Sequence, residues 1–381
     1  MEQLTAEFGG SVQVGTGVGP VLEKFESVSR IAVLRGGGLG DLIFAIPAMA
    51  ALKAAYPGAT LTLLGTPVHR ALLAATKSPV DEVCVLPFAE GVRPGEEDPA
   101  ELDAFFDDMR GRRFDLAVQL HGGGRYSNPF LLRLGARHTA GTRTADAASL
   151  ERTVPYIYYQ HEPLRALEVA GMAGAFPLDL EARLAPAEGG APPTVVMRDD
   201  GAGPWVVVHP GATDPRRRWP VSRFAELAAA CAADGFRVAV IGDENERALA
   251  GQVVEQAASA NVHSFAGDLD MGGLVALLVR AAVVVGNDSG PRHLAQALGV
   301  PTVGIFWVGN VINAGALGRS LHRIHASWVT ACPTCGIDVT QVGWTAPRCP
   351  HDDSVVAGIP VRDVHEDVRS LAASELAKAD A

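Results

Sequence analysis

The stretch Val284-Val285-Gly286-Asn287-Asp288-Ser289-Gly290-Pro291-Arg292-His293-Leu294-Ala295 runs from a β-branched strand through small polar residues directly into a helical pattern. The first amides of a helix lack intrahelical partners and sit at the positive end of its dipole, so an anion placed there gains several hydrogen bonds at once. Gly290 permits close backbone approach, Pro291 suits the first helical turn, and Ser289 and His293 add side-chain donors. An ordinary helix capped by Asp288 or Ser289 accounts for the same residues, and the two readings stand side by side.

A second glycine-rich turn, Arg35-Gly36-Gly37-Gly38-Leu39-Gly40-Asp41, follows an apolar strand. A dinucleotide fingerprint beginning at Gly36 needs glycine at position 41, where Asp41 would repel a pyrophosphate. A carboxylate in the first turn of a helix can instead accept a proton from a substrate hydroxyl, or simply cap that helix. His209-Pro210-Gly211-Ala212-Thr213 leads into the cluster Arg216-Arg217-Arg218, which can neutralise a diphosphate or lie solvated on the surface. Asp243-Glu244-Asn245-Glu246 sets acids after another strand, where a carboxylate either accepts from ribose hydroxyls or favours a helix start. In Gln119 to Asn128, the residues His121, Arg125 and Asn128 are open to a ligand-contact or a turn-forming reading.

Cys84 and Cys231 read as isolated small hydrophobes. Cys332-Pro333-Thr334-Cys335 with Cys349-Pro350-His351 offers three sulfurs and one imidazole, enough for a tetrahedral structural zinc site. The C-x-H spacing of the second pair is unusual for a zinc knuckle, so free thiols in a reducing cytoplasm are the expected state and no cofactor is expected.

These segments need elements to hold them. Apolar β-branched runs alternate with helical patterns twice along the chain, the mark of parallel sheets covered by helices. The first set places strands at 30–34, 60–64, 82–86 and 116–120, with helices near 42–55, 67–76 and 101–112. The second places strands at 205–209, 237–241, 283–286 and 302–306. The expected organisation is a loose tail over 1–27, a doubly wound domain over 28–185, a Pro- and Gly-rich linker over 186–204, a second doubly wound domain over 205–360 and a final helix within 361–381. Two such domains should face each other across a cleft, with ligands at the carboxyl ends of the strands.

A chain of 381 residues that is 48% hydrophobic can bury two substantial cores. Its formal charge of −11 argues against a nucleic-acid partner held by a general basic surface. With no long apolar run and no secretory pattern at the start, a soluble, cytoplasmic protein is expected, with weak peripheral membrane contact at most.

In order along residues 30 to 370, the segments RIAVLRGGGLGDLIFAIPAMAALKAAYPGATLTLLG, HPGATDPRRRWPVSRFAEL and NDSGPRHLAQALGVPTVGIF resemble the heptosyltransferases, glycosyltransferase family nine. The resemblance implies an α/β, GT-B fold of two Rossmann-like domains, with the final helix packing back across the N-terminal domain. It implies that Asp41, beside Gly40, is the general base of an inverting transfer that needs no catalytic metal. It assigns Arg217, Glu246, Asp288, Ser289, Gly290, Pro291 and His293 to a nucleotide-sugar donor, with ADP-heptose the simplest choice. It also places Gly40, His121, Arg125 and Asn128 toward the acceptor half, so a glycan or lipopolysaccharide-type acceptor is implied, reached at the inner face of the membrane. Family members often carry a further cysteine near position 355, where this chain has Val355, a departure that weakens a disulfide network. Two other readings use the same architecture: an epimerase-like nucleotide-sugar enzyme, which needs a proton-transfer pair at the sugar that the sequence lacks, and a non-catalytic nucleotide-sugar binder, which has no use for Asp41.

Overall fold

The computed structural model describes residues 17–188, 203–340 and 346–379, and the chain divides into two compact units, Met1–Ala185 and Pro186–Ala381. In the first unit, strands β1 (Arg30–Leu34), β2 (Thr60–Gly65), β3 (Glu82–Val85), β4 (Leu116–Gln119), β5 (His138–Arg143) and β6 (Arg152–Pro155) form a parallel sheet in the order β3-β2-β1-β4-β5-β6. Helices α1 (Leu39–Ala55), α2 (Pro67–Ala75), α3 (Pro99–Gly111), α4 (Ser127–Leu132) and α5 (Glu162–Met172) connect and cover it. Ala32 and Leu34 of β1 join a cluster with Phe106 and Met109 of α3 and Phe130 and Leu131 of α4. Ile31 and Val33 alternate to the other face, and all four are fully buried. A strand covered on both faces must be apolar throughout, which is why β1 reads as one continuous run.

The second unit repeats the plan. Strands β7 (Trp205–His209), β8 (Arg237–Val240), β9 (Val262–Ser264), β10 (Ala281–Asn287), β11 (Thr302–Trp307) and β12 (His322–Ser327) pair in parallel in the order β9-β8-β7-β10-β11-β12. Its helices are α6 (Val221–Ala233), α7 (Arg247–Ala257), α8 (Met271–Leu278), α9 (Gly290–Ala297), α10 (Val308–Ala314) and α11 (Val361–Ala379). Counted within each unit, both sheets run 3-2-1-4-5-6. The connections therefore reverse direction between the first and fourth strands, and the carboxyl ends of those two strands are where such sheets bind ligands. The loops after β1 and β4, and after β7 and β10, occupy those places.

Three expectations need restating. Residues 1–16 of the expected tail and 189–202 of the expected linker lie outside the described residues. Beyond that, the tail is packed: Val21, Leu22 and Phe25 are buried, the Leu22 amide donates to the Gly171 carbonyl at 2.9 Å, and the Phe25 ring stacks on His138 at 4.2 Å. The last helix was expected to pack back on the N-terminal domain. Its Val364, Val368, Leu371 and Ala372, spaced as one helical stripe, join the core of the second unit, and α11 lies against α6 and β10. Burying Val364, Val368 and Leu371 contributes about 1.5–3 kcal/mol each.

Candidate active site

In the second unit, β10 ends at Asn287 and α9 begins at Gly290, so Asp288 and Ser289 are the whole turn. The Asp288 carboxylate, 9% exposed, gathers three side chains. Arg217 pairs with Oδ2 at 3.1 Å, the Asn310 amide donates to the same oxygen, and His293 Nε2 donates to Oδ1 at 2.8 Å. Arg292 donates to Nδ1 of His293, which fixes the His293 proton on Nε2. Burial by itself would raise the Asp288 pKa. The His293 hydrogen bond and the charges of Arg217 and Arg292 outweigh it and hold the carboxyl far below the usual range.

Ser289 is the N-cap of α9 by position, yet its side chain makes no capping bond. Its hydroxyl turns to His209 Nδ1 at 2.8 Å, while His209 Nε2 meets Glu246 Oε2 at 3.1 Å. The anion-site reading of this turn gains from that geometry, because the helix-start amides keep their donors. When neutral His209 donates to Glu246, its Nδ1 must accept the Ser289 proton. Glu246 lies over Gly211, where an added Cβ would stand 1.7 Å from its Oε1. Burial raises the Glu246 pKa, and His209 and the Asp243 amide more than reverse the effect. Glu244 faces elsewhere, paired with Arg247 at 2.8 Å, so of the two glutamates it is Glu246 that adjoins the turn.

The fully buried Asn287 ties these loops to the sheet. Its Oδ1 accepts from the Trp219 amide at 3.0 Å and its Nδ2 donates to the carbonyls of Pro210 at 2.9 Å and Gly211 at 3.2 Å. Asp214 caps the short turn Pro215–Arg217, which presents Arg216 and Arg217 to different neighbours. Arg216 is buried against Asp214, and Arg217 reaches Asp288.

In the first unit, Asp41 sits in the first turn of α1. Its Oδ2 accepts from the Gly38 amide at 2.8 Å and its Oδ1 pairs with Arg35 at 2.7 Å. The carboxylate thus caps the helix, and with 46% of its side chain exposed it also remains open to a ligand. Gly37 has φ +87°, and an added Cβ would stand 2.4 Å from Asp41 Oδ2, so glycine is required on both counts. Arg35 is buried, donates to the Leu120 carbonyl, and pairs with Glu162 at 3.4 Å. His69, buried, contacts the Gly38 carbonyl at 2.8 Å and steadies the turn from below. Gly40 is half-buried in the same helix turn.

The residues expected on the acceptor side separate. His121 lies beside Gly36, its Nε2 3.1 Å from the Gly91 carbonyl and its Nδ1 buried without a hydrogen-bond partner. Burial, then the charge of Arg35, lowers its pKa to about 4. Arg125 is exposed beside Asp146 at 3.7 Å. Asn128 is fully buried, and its amide donates to the Thr142 carbonyl at 3.1 Å and the Ala148 carbonyl at 2.9 Å. The amide nitrogen thus fastens the loop, while Oδ1 is buried without a hydrogen-bond partner.

The sulfur-containing residues come together in space. The ligand atoms of Cys332, Cys335, Cys349 and His351 all lie within 4.8 Å of one another, despite the unusual spacing of the second pair. The donor set and its convergence fit a tetrahedral metal ion.

Several neighbours of these sites were not singled out from sequence. Arg35 precedes the glycine turn, where a cation beside Asp41 was readable. Asn310 and Glu162 lie far along the chain from Asp288 and Arg35, and only the tertiary fold brings them there.

Two Rossmann-like units, each with charged loops at its switch point, define a protein of the GT-B class. The model of "Glycosyltransferase family 9 (heptosyltransferase)" matches residues 103–334. Lipopolysaccharide heptosyltransferase 1 of Pseudomonas aeruginosa is 32% identical over 137 residues, 36% of this chain and 37% of that protein. The match to lipopolysaccharide heptosyltransferase 2 of Salmonella typhimurium is longer, 24% identical over 295 residues, 73% of this chain and 82% of that one. The chain thus spans little more than a third of the first relative's length. The structure of Escherichia coli ADP-heptose lipopolysaccharide heptosyltransferase II superposes with a TM-score of 0.70 at 19% identity, covering 91% of this chain and 99% of the other. The chain belongs to glycosyltransferase family 9.

Proposed function

We propose that this chain transfers a sugar, with inversion, from a nucleotide-activated donor to a hydroxyl of a glycan acceptor. The donor is ADP-heptose and the acceptor is of lipopolysaccharide type, by likeness to what the relatives are named for. The observation that carries the reading is the cluster of Arg217, Asp288 and His293 at an α9 start whose own N-cap side chain is turned away. In this scheme the amides of Ser289 and Gly290, with Arg217, bind the diphosphate and stabilise the charge that grows on it as the glycosidic bond breaks. Pro291 supplies no amide and sets the start of the helix. His293 orients Asp288, and Glu246 accepts from the ribose hydroxyls. Asp41, aimed by Arg35, takes the acceptor proton as the oxygen attacks the anomeric carbon. His121, Arg125 and Asn128 serve the acceptor half. The positive charge at the diphosphate comes from Arg217 and the helix start, so the bond-forming step needs no metal. The work is done at the inner face of the membrane; no helix among the described residues is long and apolar enough to cross one.

Titration with ADP, UDP, GDP and NAD tests the donor, and ADP should bind tightest. Asp41→Asn should lower transfer by about a hundredfold or more while ADP affinity holds. Undiminished transfer by that variant would remove Asp41 from the mechanism. Conversion of the sugar without any acceptor would favour an epimerase, and ADP-heptose binding without turnover on any glycan a plain binder. Adding Mg2+ or Mn2+ should leave the rate unchanged.

A further inference from the structure

Arg216 and Arg217 are consecutive, yet they look toward two different clusters. Arg217 pairs with Asp288 in the donor turn. Arg216, buried, lies beside Cys349 and pairs with Asp214 at 2.5 Å. Cys349 belongs to the group formed with Cys332, Cys335 and His351. Cys332 to Gly336 is a tight turn: Gly336 has φ +74°, its amide donates to the Cys332 carbonyl at 2.9 Å, and the amides of Cys335 and Thr334 point at the Cys332 sulfur. Cys332 and Cys349 are buried, Cys335 is exposed, and the Cys332 sulfur stands 3.8 Å from His351 Nδ1. A tetrahedron with Zn–S arms of about 2.3 Å and a Zn–N arm of about 2.0 Å has edges of about 3.5–3.8 Å, so closure needs shifts on the order of 1 Å or less.

We propose that Cys332, Cys335, Cys349 and His351 hold one zinc ion, and that this ion fastens the Asp214–Trp219 loop so that Arg217 stays poised at the donor turn. Three thiolates and a neutral imidazole around a divalent ion leave one net negative charge, and Arg216 supplies the buried counter-charge. The backbone adds its own ties. The Val355 amide donates to the Arg216 carbonyl at 2.8 Å, the Ser354 hydroxyl to the Arg218 carbonyl at 2.6 Å, and Arg348 lies 3.7 Å from Asp214. Four protein ligands close the coordination sphere, which makes the ion structural and keeps it out of the transfer step.

The fastening half of this proposal rests on the donor site proposed above, and the metal half does not. Full-length protein purified without chelators should carry one zinc per chain by elemental analysis, and Co2+ in its place should give thiolate-to-cobalt absorption. Cys335→Ser, at an exposed position, should lose the metal and keep its far-ultraviolet circular dichroism; His351→Ala provides a second route should that variant misfold. ADP affinity of either variant should fall about tenfold, Arg217→Ala should cost about the same, and Cys335→Ser combined with Arg217→Ala should cost no more than either alone. Free thiols or a disulfide with no bound metal would overturn the proposal, and iron in stoichiometric amount would overturn the choice of zinc. Metal loss that leaves ADP affinity unchanged would overturn the fastening. A zinc-loaded chain that binds no ADP at all would sink the donor-site reading and leave the zinc site standing.

Discussion

Gly211 shows what a residue without a side chain can do for a site. The Glu246 carboxylate occupies the space a Cβ would need, so Gly211→Ala must push Glu246 away from His209. ADP affinity should fall about tenfold in calorimetric titration with the melting temperature nearly unchanged, and Glu246→Gln should add little to that loss. Arg35 makes the complementary case. Its planar fork meets both the carboxylate and the main-chain carbonyl of Asp41, a geometry that lysine cannot copy. Arg35→Lys should slow transfer by about tenfold and spare ADP binding, and an equal loss in both would mean that Arg35 merely supports the fold. At this scale the sequence was legible where chemistry is local. Asp41, Arg217, Asp288 and His293 stand in runs whose residue types point to charge handling. The choice between Glu244 and Glu246 was not legible, because it depends on the turn at 244–246 that directs one carboxylate to His209 and the other to Arg247.

At the scale of elements, most strands visible in the sequence are buried on both faces, although the edge strand β3, which is only partly buried, was visible too. β1 and β7 are apolar runs, β2 and β11 are mostly so, and all four fall within a residue or so of their expected bounds. β5 (His138–Arg143), β6 (Arg152–Pro155), β9 (Val262–Ser264) and β12 (His322–Ser327) were missed for physical reasons. Three of them are edge strands or three residues long, and His138–Arg143 carries Thr, Gly and Arg where the pattern seeks branched aliphatics. The ends of strands are tied by side chains as well as by sheet bonds. Asn287→Ala would leave the buried Trp219 amide and the carbonyls of Pro210 and Gly211 without that partner, at a cost of about 2–3 kcal/mol. Urea unfolding should show the loss, and a variant as stable as the parent would mean that water replaces the amide.

At the scale of the molecule, the twofold alternation of strand and helix was plain, while the partners of the last helix were not. An amphipathic stripe announces that a helix is buried without naming the surface that receives it. Stability against pH is likewise a sum over both units. Burial lowers the pKa of His69, and lowers those of His121 and His322 to about 4. Between about pH 6.5 and pH 4 the unfolded chain takes up protons that the folded chain refuses, so stability is full above that window and is lost as the pH falls through it. The thermal midpoint should drop between pH 7 and pH 5, and equal midpoints would contradict the burial of these rings.

The pairing of Arg217 with Asp288 has one more consequence. A carboxylate tethered beside a guanidinium is a counterion that cannot diffuse away. Dissolved salt, which loosens anions from bare cationic hollows by competing for the cation, finds Arg217 already matched. If the donor binds here as proposed, inorganic phosphate or sulfate would have to displace that built-in partner with nothing to offer in return, whereas a nucleotide would bring a sugar and a base whose contacts help in the exchange. The proposed site would thereby be protected from the commonest anions around it.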